Sequence, residues 1–206
     1  MKTVMTAKLK LDHTKEQLTQ LRAIQLAYRD ALNFVSQYAF AHGKMSNKVA
    51  LQDGTYQEIR TRFSLPSQMA CSVPRQVGGT YKTLWTTTKK NAQDRLSGRI
   101  KKRYKGLDQP PKYVSPTLTY QYKKDYSFRR EQQVSILTLD GRLHLPYTGY
   151  QHHLDLIAKG AEIGAAKLWY DQPHKQFYLL VSLTIEGSDP TPEQHRAVVG
   201  VDVGVR

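Results

Sequence analysis

The run FYLLVSLTI, Phe177–Ile185, carries the aromatic and β-branched content of a buried strand and no charge. It lies in an expected strand Gln176–Ile185, and Asp171–Lys175 reads as the turn that joins this strand to a preceding one, Ala161–Tyr170. Further upstream, short alternating runs mark strands at Thr117–Tyr122, Gln133–Leu137 and Arg142–Leu145, with Asp140-Gly141 as a hairpin dipeptide between the last two. Pro110, Pro111 and Pro116 punctuate the start of this region, which opens near Gly106. At the other end of the chain, residues 2–11 also alternate. Met5, Ala7, Leu9 and Leu11 fall on one side and Lys2, Thr6, Lys8 and Lys10 on the other, which is a strand with one wet face. One early strand plus five late ones is enough to close a small barrel.

What separates the early strand from the others is helical in pattern. Thr14 and Gln17 have the spacing of a capping box, and Leu21, Ile24, Tyr28, Ala31, Val35 and Tyr38 follow at steps of three and four, up to about Gly43. The polar stretch His42–Gly54 reads as a loop, followed by a short helix marked by Tyr56, Ile59 and Phe63 and stopped by Pro66. Met69, Val73, Val77, Tyr81 and Trp85 space a third helix over about 67–90, with Pro74 as the place for a kink. The fold class expected is therefore α+β. A discontinuous barrel domain spans 1–12 plus 106–186, a helical domain spans 13–105, a Pro-containing linker spans 187–196, and a final segment spans 197–206.

Thirty-one Lys and Arg against seventeen Asp and Glu give the 206-residue chain a formal charge of +14. Between Lys82 and Arg130 stand fourteen Lys/Arg and three Asp, so this window alone holds +11 of it. An unneutralised charge of that density repels itself, which points to a polyanionic partner. The window also holds Trp85, Tyr104, Tyr113, Tyr120, Tyr122, Tyr126 and Phe128, and cations interleaved with flat rings suit phosphates and stacked bases. The residues expected to touch nucleic acid are Arg75, Gln76, Lys82, Lys89, Lys90, Arg99, Lys101, Lys102, Arg103 and Lys105, with Tyr81, Tyr104 and Tyr113 as candidate stacking rings. Tyr81 lies on the apolar helix stripe, so a core position competes with that role.

Other chemistries fall away. No apolar stretch reaches the length of a membrane span, and MKTVMTAKLKLD places lysines where a signal peptide needs apolar residues, so a cytoplasmic protein, associated with the nucleoid when DNA-bound, is expected. Cys71 stands alone, which leaves neither a disulfide nor a cysteine-rich zinc site in these residues. The seven histidines show no ligand spacing, and His152 and His153, placed on a strand, point to opposite faces.

The last ten residues, AVVGVDVGVR, alternate valines with Gly200, Asp202 and Gly204. A carboxylate on so apolar a strand costs several kcal/mol unless it is paired, hydrogen-bonded or bound to metal. The flanking glycines leave room for a metal ion or a phosphate. RNase H-like nucleases and actin-like ATPases or sugar kinases both use such a strand. The basic, aromatic-rich region ahead of it and the Val205-Arg206 that follow favour the nuclease.

LPSQMACSVPRQVGGTYK (Leu65–Lys82), VSILTLDGRLHLP (Val134–Pro146), FYLLVSL (Phe177–Leu183) and VVGVDVGV (Val198–Val205), with the earlier KLKL, KEQ and Asn33, come in the order seen in TnpB (OrfB) proteins. The chain resembles this family along nearly its whole length. Its members are transposon-encoded, RNA-guided DNA endonucleases related to type V CRISPR effectors. The resemblance implies a wedge (OB-like) β-barrel with an inserted helical recognition domain, followed by the first strand of an RNase H-like (RuvC) domain. It implies a guide RNA and a target double-stranded DNA with a short flanking motif as partners, and Mg²⁺ at a site where Asp202 is the first catalytic carboxylate and metal ligand. The family's later Glu, last Asp and cysteine zinc ribbon have no counterpart in these 206 residues. Cleavage needs several carboxylates around the ions, so these residues alone are expected to bind without cutting. A non-catalytic nucleic-acid-binding remnant is the alternative.

Overall fold

A computed structural model describes residues 2–115 and 117–186. The linker at 187–196 and the segment 197–206, Asp202 included, lie outside the described residues. The architecture is α+β, with a nearly closed seven-stranded antiparallel barrel and, among the described residues, four helices.

The elements are β1 (Lys2–Leu11), α1 (Lys15–Ala41), α2 (Lys48–Arg62), α3 (Ser67–Leu96), β2 (Leu118–Tyr120), β3 (Tyr126–Arg129), β4 (Gln133–Thr138), β5 (Gly141–Gly149), α4 (Gln151–Ala158), β6 (Glu162–Asp171) and β7 (Gln176–Glu186). The sheet order is β2-β6-β7-β1-β5-β4-β3. β1 is thus a central strand, paired with β7 from Lys2↔Glu186 to Lys10↔Tyr178 and with β5 at Leu9↔Gly149. Its alternation is the one its sequence dictates: Ala7, Leu9 and Leu11 are buried and Thr6, Lys8 and Lys10 exposed. β7 contributes Phe177, Leu179, Val181 and Leu183 to the same core, which also takes in Leu21, Ile24, Tyr28, Val35 and Val77 from the helices.

Across the gap between the two margins of the sheet, β2–β6 on one side and β3–β4 on the other, side chains replace a ladder. The Tyr126 hydroxyl donates to Gly164 O at 2.7 Å, the Tyr120 hydroxyl to Leu137 O at 2.9 Å, and a single bridge joins Tyr122 to Tyr126. The buried Tyr28 and Tyr81 keep their polar tips satisfied in the same way, donating to Gln76 Oε1 and Ser36 O.

The capping box at the start of α1 is complete in both directions, Thr14 with Gln17. Three helices do follow one strand, but the loop expected over 42–54 is shorter. Asn47 caps α2 by accepting from the N–H groups of Val49 and Ala50, and Leu51, Thr55 and Ile59 bury one face at four-residue steps. Gly78 of α3 permits this packing, because a Cβ there would stand 2.9 Å from Ser46 O. α3 runs through Pro74 and on to Leu96, six residues past the expected end. β3 and α4 are additions to the expected elements. With α4 in place, His152 and His153 belong to a helix and not to the two faces of a strand. The β4–β5 turn sits one residue earlier than the dipeptide implied, with Thr138 paired to Gly141 and Gly141 at φ 110°.

Candidate nucleic-acid interface

α3 carries the basic surface. Arg75, Lys82 and Lys89 recur every seven residues, which on a helix returns nearly to the same face, and all three are exposed. They form a stripe about 21 Å long at 1.5 Å per residue. Lys90 is exposed beside it. Beyond Leu96 the chain turns back along the helix, held by Asn91, whose side chain donates to Lys102 O and accepts from Tyr104 N at 2.9 Å. Arg99, Lys101, Lys102, Arg103 and Lys105 on this returning segment are all exposed. Two of them have acidic neighbours: Arg103 pairs with Asp108, and Arg99 lies 3.7 Å from Asp94. Among the described residues no such ion pair involves Lys101, Lys102 or Lys105.

The tyrosines divide. Tyr81 is fully buried and its hydroxyl is taken by Ser36 O at 2.8 Å, so it is a core residue and not a stacking ring. Tyr113 is half-buried. Asn33 grips its backbone, accepting from Tyr113 N at 2.8 Å and donating to Tyr113 O at 3.0 Å, and its hydroxyl donates to Thr80 Oγ1. Burial holds that hydroxyl above the usual tyrosine range. Tyr104 is half-buried with its ring against Gly106, where a Cβ would collide with it. Of the other rings in the basic window, Tyr120 and Tyr126 are fully buried and Tyr122 and Phe128 pack against the core. The charge of the window is therefore outside and most of its aromatic content inside.

Arg75 and Gln76 reach a place that the sequence does not reveal. With Tyr28 and Ser72 from the helices, and Thr119, Gln121 and Lys167 from the barrel, they line a cleft of about 350 Å³. Burial is the largest effect on the Tyr28 hydroxyl, with smaller contributions in the same direction from Asp125 and Tyr113, and together these raise its pKa well above the ordinary value against the opposing charge of Arg75. Tyr28 thus stays a neutral donor, 3.1 Å from Gln76 Oε1, which leaves the amide Nε2 of Gln76 for another acceptor. Guanidinium, ammonium, amide and hydroxyl groups converge there, a donor set suited to phosphate oxygens and to the acceptors on base edges. Lys167 and Thr119 are cross-strand partners, a pairing that only the register of β2 on β6 discloses.

No helix among the described residues is long and apolar enough to cross a membrane. Nor do three His, Cys, Asp or Glu side chains stand together among them where they could hold a metal ion. Asp202, the one metal ligand the family resemblance implies, lies outside the described residues. Compared with protein-family models and with curated proteins, the chain matches none of them.

Proposed function

We propose that these residues grip nucleic acid as the front part of a transposon-associated, RNA-guided DNA endonuclease, acting in the cytoplasm on nucleoid DNA. In this reading the barrel is a wedge domain and α1–α3 a recognition domain. Together they hold a guide RNA and a target duplex with its short flanking motif, while Asp202 is a Mg²⁺ ligand of a RuvC site. Sequence is read mainly by guide pairing in such a system, so the protein's task is to hold backbones and test a short duplex motif. The observation that carries the reading is the cleft of Arg75, Gln76, Thr119, Gln121 and Lys167, set between helices and barrel beside the Arg75–Lys82–Lys89 stripe. The part assigned to Asp202 rests on the resemblance alone.

Filter binding to a structured RNA and to duplex DNA tests it. If roughly six to ten phosphates are neutralised, affinity falls by roughly 10³–10⁵ between about 50 and 200 mM salt. Arg75→Ala weakens duplex binding without lowering the melting temperature, because the side chain is exposed. A flat salt response, or no binding at the lower salt, refutes the proposal.

A further inference from the structure

A second cavity, of about 350 Å³, opens where α1 crosses the end of β6, and Arg22, Gln25, Trp169 and Tyr170 stand in its wall. Two of these residues each carry a buried polar atom with no hydrogen-bond partner among the described residues: Arg22 Nη1 and Gln25 Oε1. Gln25 is 1% exposed, and its amide is fixed in orientation, because Nε2 donates to Leu168 O at 3.0 Å and so leaves Oε1 as the unused end. Arg22 is fixed as well, its guanidinium 4.6 Å above the Tyr170 ring. The two residues are three apart on α1, hence on one face of the helix.

Trp169 adds a flat wall. Its ring lies 5.4 Å from that of Tyr178, its partner across the β6–β7 ladder, and Lys8 Nζ sits 5.0 Å from the indole and 4.1 Å from the Tyr178 ring. A rigid aromatic face, an unpaired donor, an unpaired acceptor and one ammonium group nearby are the parts of a site for one unpaired nucleotide. The base stacks, its edge pairs with both polar atoms, and its phosphate meets a lysine. An unpaired buried donor and acceptor are expensive to maintain, and a base edge satisfies both at once.

We infer that this cavity takes a single unstacked nucleobase from a single-stranded nucleic acid. The inference rests on the reading of the chain as a nucleic-acid-binding protein, but it concerns a different surface from the basic stripe. The sequence has two tryptophans, so Trp85→Phe leaves Trp169 as the sole reporter. In that background, single-stranded RNA and single-stranded DNA of about 12 nucleotides, within the site sizes of single-strand binders, are titrated alongside the matching duplex. Trp169 emission is followed together with the anisotropy of labelled strands.

The expected result is quenching by a single strand and not by the duplex, and the strand type with the larger response identifies its source as RNA or displaced DNA. Arg22→Met, which keeps the packing over Tyr170 and removes the donor, weakens single-strand binding by roughly 10- to 150-fold, the value of one hydrogen bond from a charged group, and leaves duplex binding unchanged. If strands and duplex bind but Trp169 does not respond, or Arg22→Met binds single strands like its parent, the cavity holds only water and the inference is overturned while the broader reading stands. Absence of all binding overturns both.

Discussion

Replacing Lys101, Lys102 and Lys105 together by alanine isolates the electrostatic part of binding from the fold. All three are exposed, and among the described residues no carboxylate pairs with them; Arg103 is left in place because Asp108 already neutralises it. The returning segment is positioned by Asn91 through the backbone of residues 102 and 104, a grip that these substitutions do not touch. If each lysine neutralises one phosphate of a duplex, the slope of log affinity against log salt becomes shallower by roughly 2.7, at about 0.9 per contact. Over the fourfold span from about 50 to 200 mM salt, the parent then loses roughly 40-fold more affinity than the variant. Anisotropy titrations at four or five salt concentrations measure both slopes, and circular dichroism melts check that stability stays within about 0.5 kcal/mol. Two parallel slopes would show that the lysines face solvent and not a polyanion, and the interface on α3 and its return would have to be abandoned.

Asp125 holds its proton to higher pH than an ordinary aspartate does. Burial raises its pKa despite the Gln121 N–H, Arg142 and Lys124, and its Oδ1 has no partner among the described residues. The folded state therefore holds the proton more tightly than the unfolded one. Stability is greatest below the ordinary Asp value and declines as pH rises through the raised pKa. Asp125→Asn, which keeps an oxygen for Gln121 N, gains in melting temperature relative to the parent as pH goes from about 4 to 7, where an ordinary Asp value near 3.9 has been passed. Melting curves that stay a fixed distance apart contradict this. Asn33→Ala removes both side-chain bonds to Tyr113 and lowers stability by about 2 kcal/mol, one for each bond, as read by urea denaturation; a loss under about 0.5 kcal/mol means that water replaces them without cost.

The elements written in local chemistry are the ones the sequence discloses. The β1 alternation, the Thr14–Gln17 capping box and the charge-free run Phe177–Ile185 of β7 each declare themselves within a dozen residues. α2 does so only in its second half, because Asp53 and Gly54 interrupt its first turns and the buried face is only Leu51, Thr55 and Ile59. α4 has no fully buried residue, so its amphipathic pattern carries little weight against the neighbouring strands. The site follows the same division. Lysines close in sequence are close on α3 and its return, and were legible. Cross-strand partners such as Lys167 with Thr119, or Trp169 with Tyr178, lie 48 and 9 positions apart, and nothing short of the register unites them. The rings of the basic window mislead for a related reason: a tyrosine in a small barrel is as useful to the core as to a ligand, and the pattern of charges around it does not tell which.

The topology makes the cleft unavoidable once the helices are inserted. The chain leaves the barrel at Leu11, on the central strand, and returns at Leu118, on a strand at the sheet margin. α1 must therefore cross from the centre of the sheet toward that margin, and Gln25, hydrogen-bonded to Leu168 O of β6, marks the crossing. The returning segment is sewn to the helices before it re-enters the sheet. Ser36 donates to Pro111 O, Asn33 holds Tyr113, and the Tyr113 hydroxyl reaches Thr80 on α3. These bonds fix α3 relative to β2, and so fix Arg75 and Gln76 relative to Thr119, Gln121 and Lys167. A donor set drawn from both parts of the chain keeps its spacing only while this seam is closed, which ties the geometry of the proposed grip to polar contacts that touch no ligand.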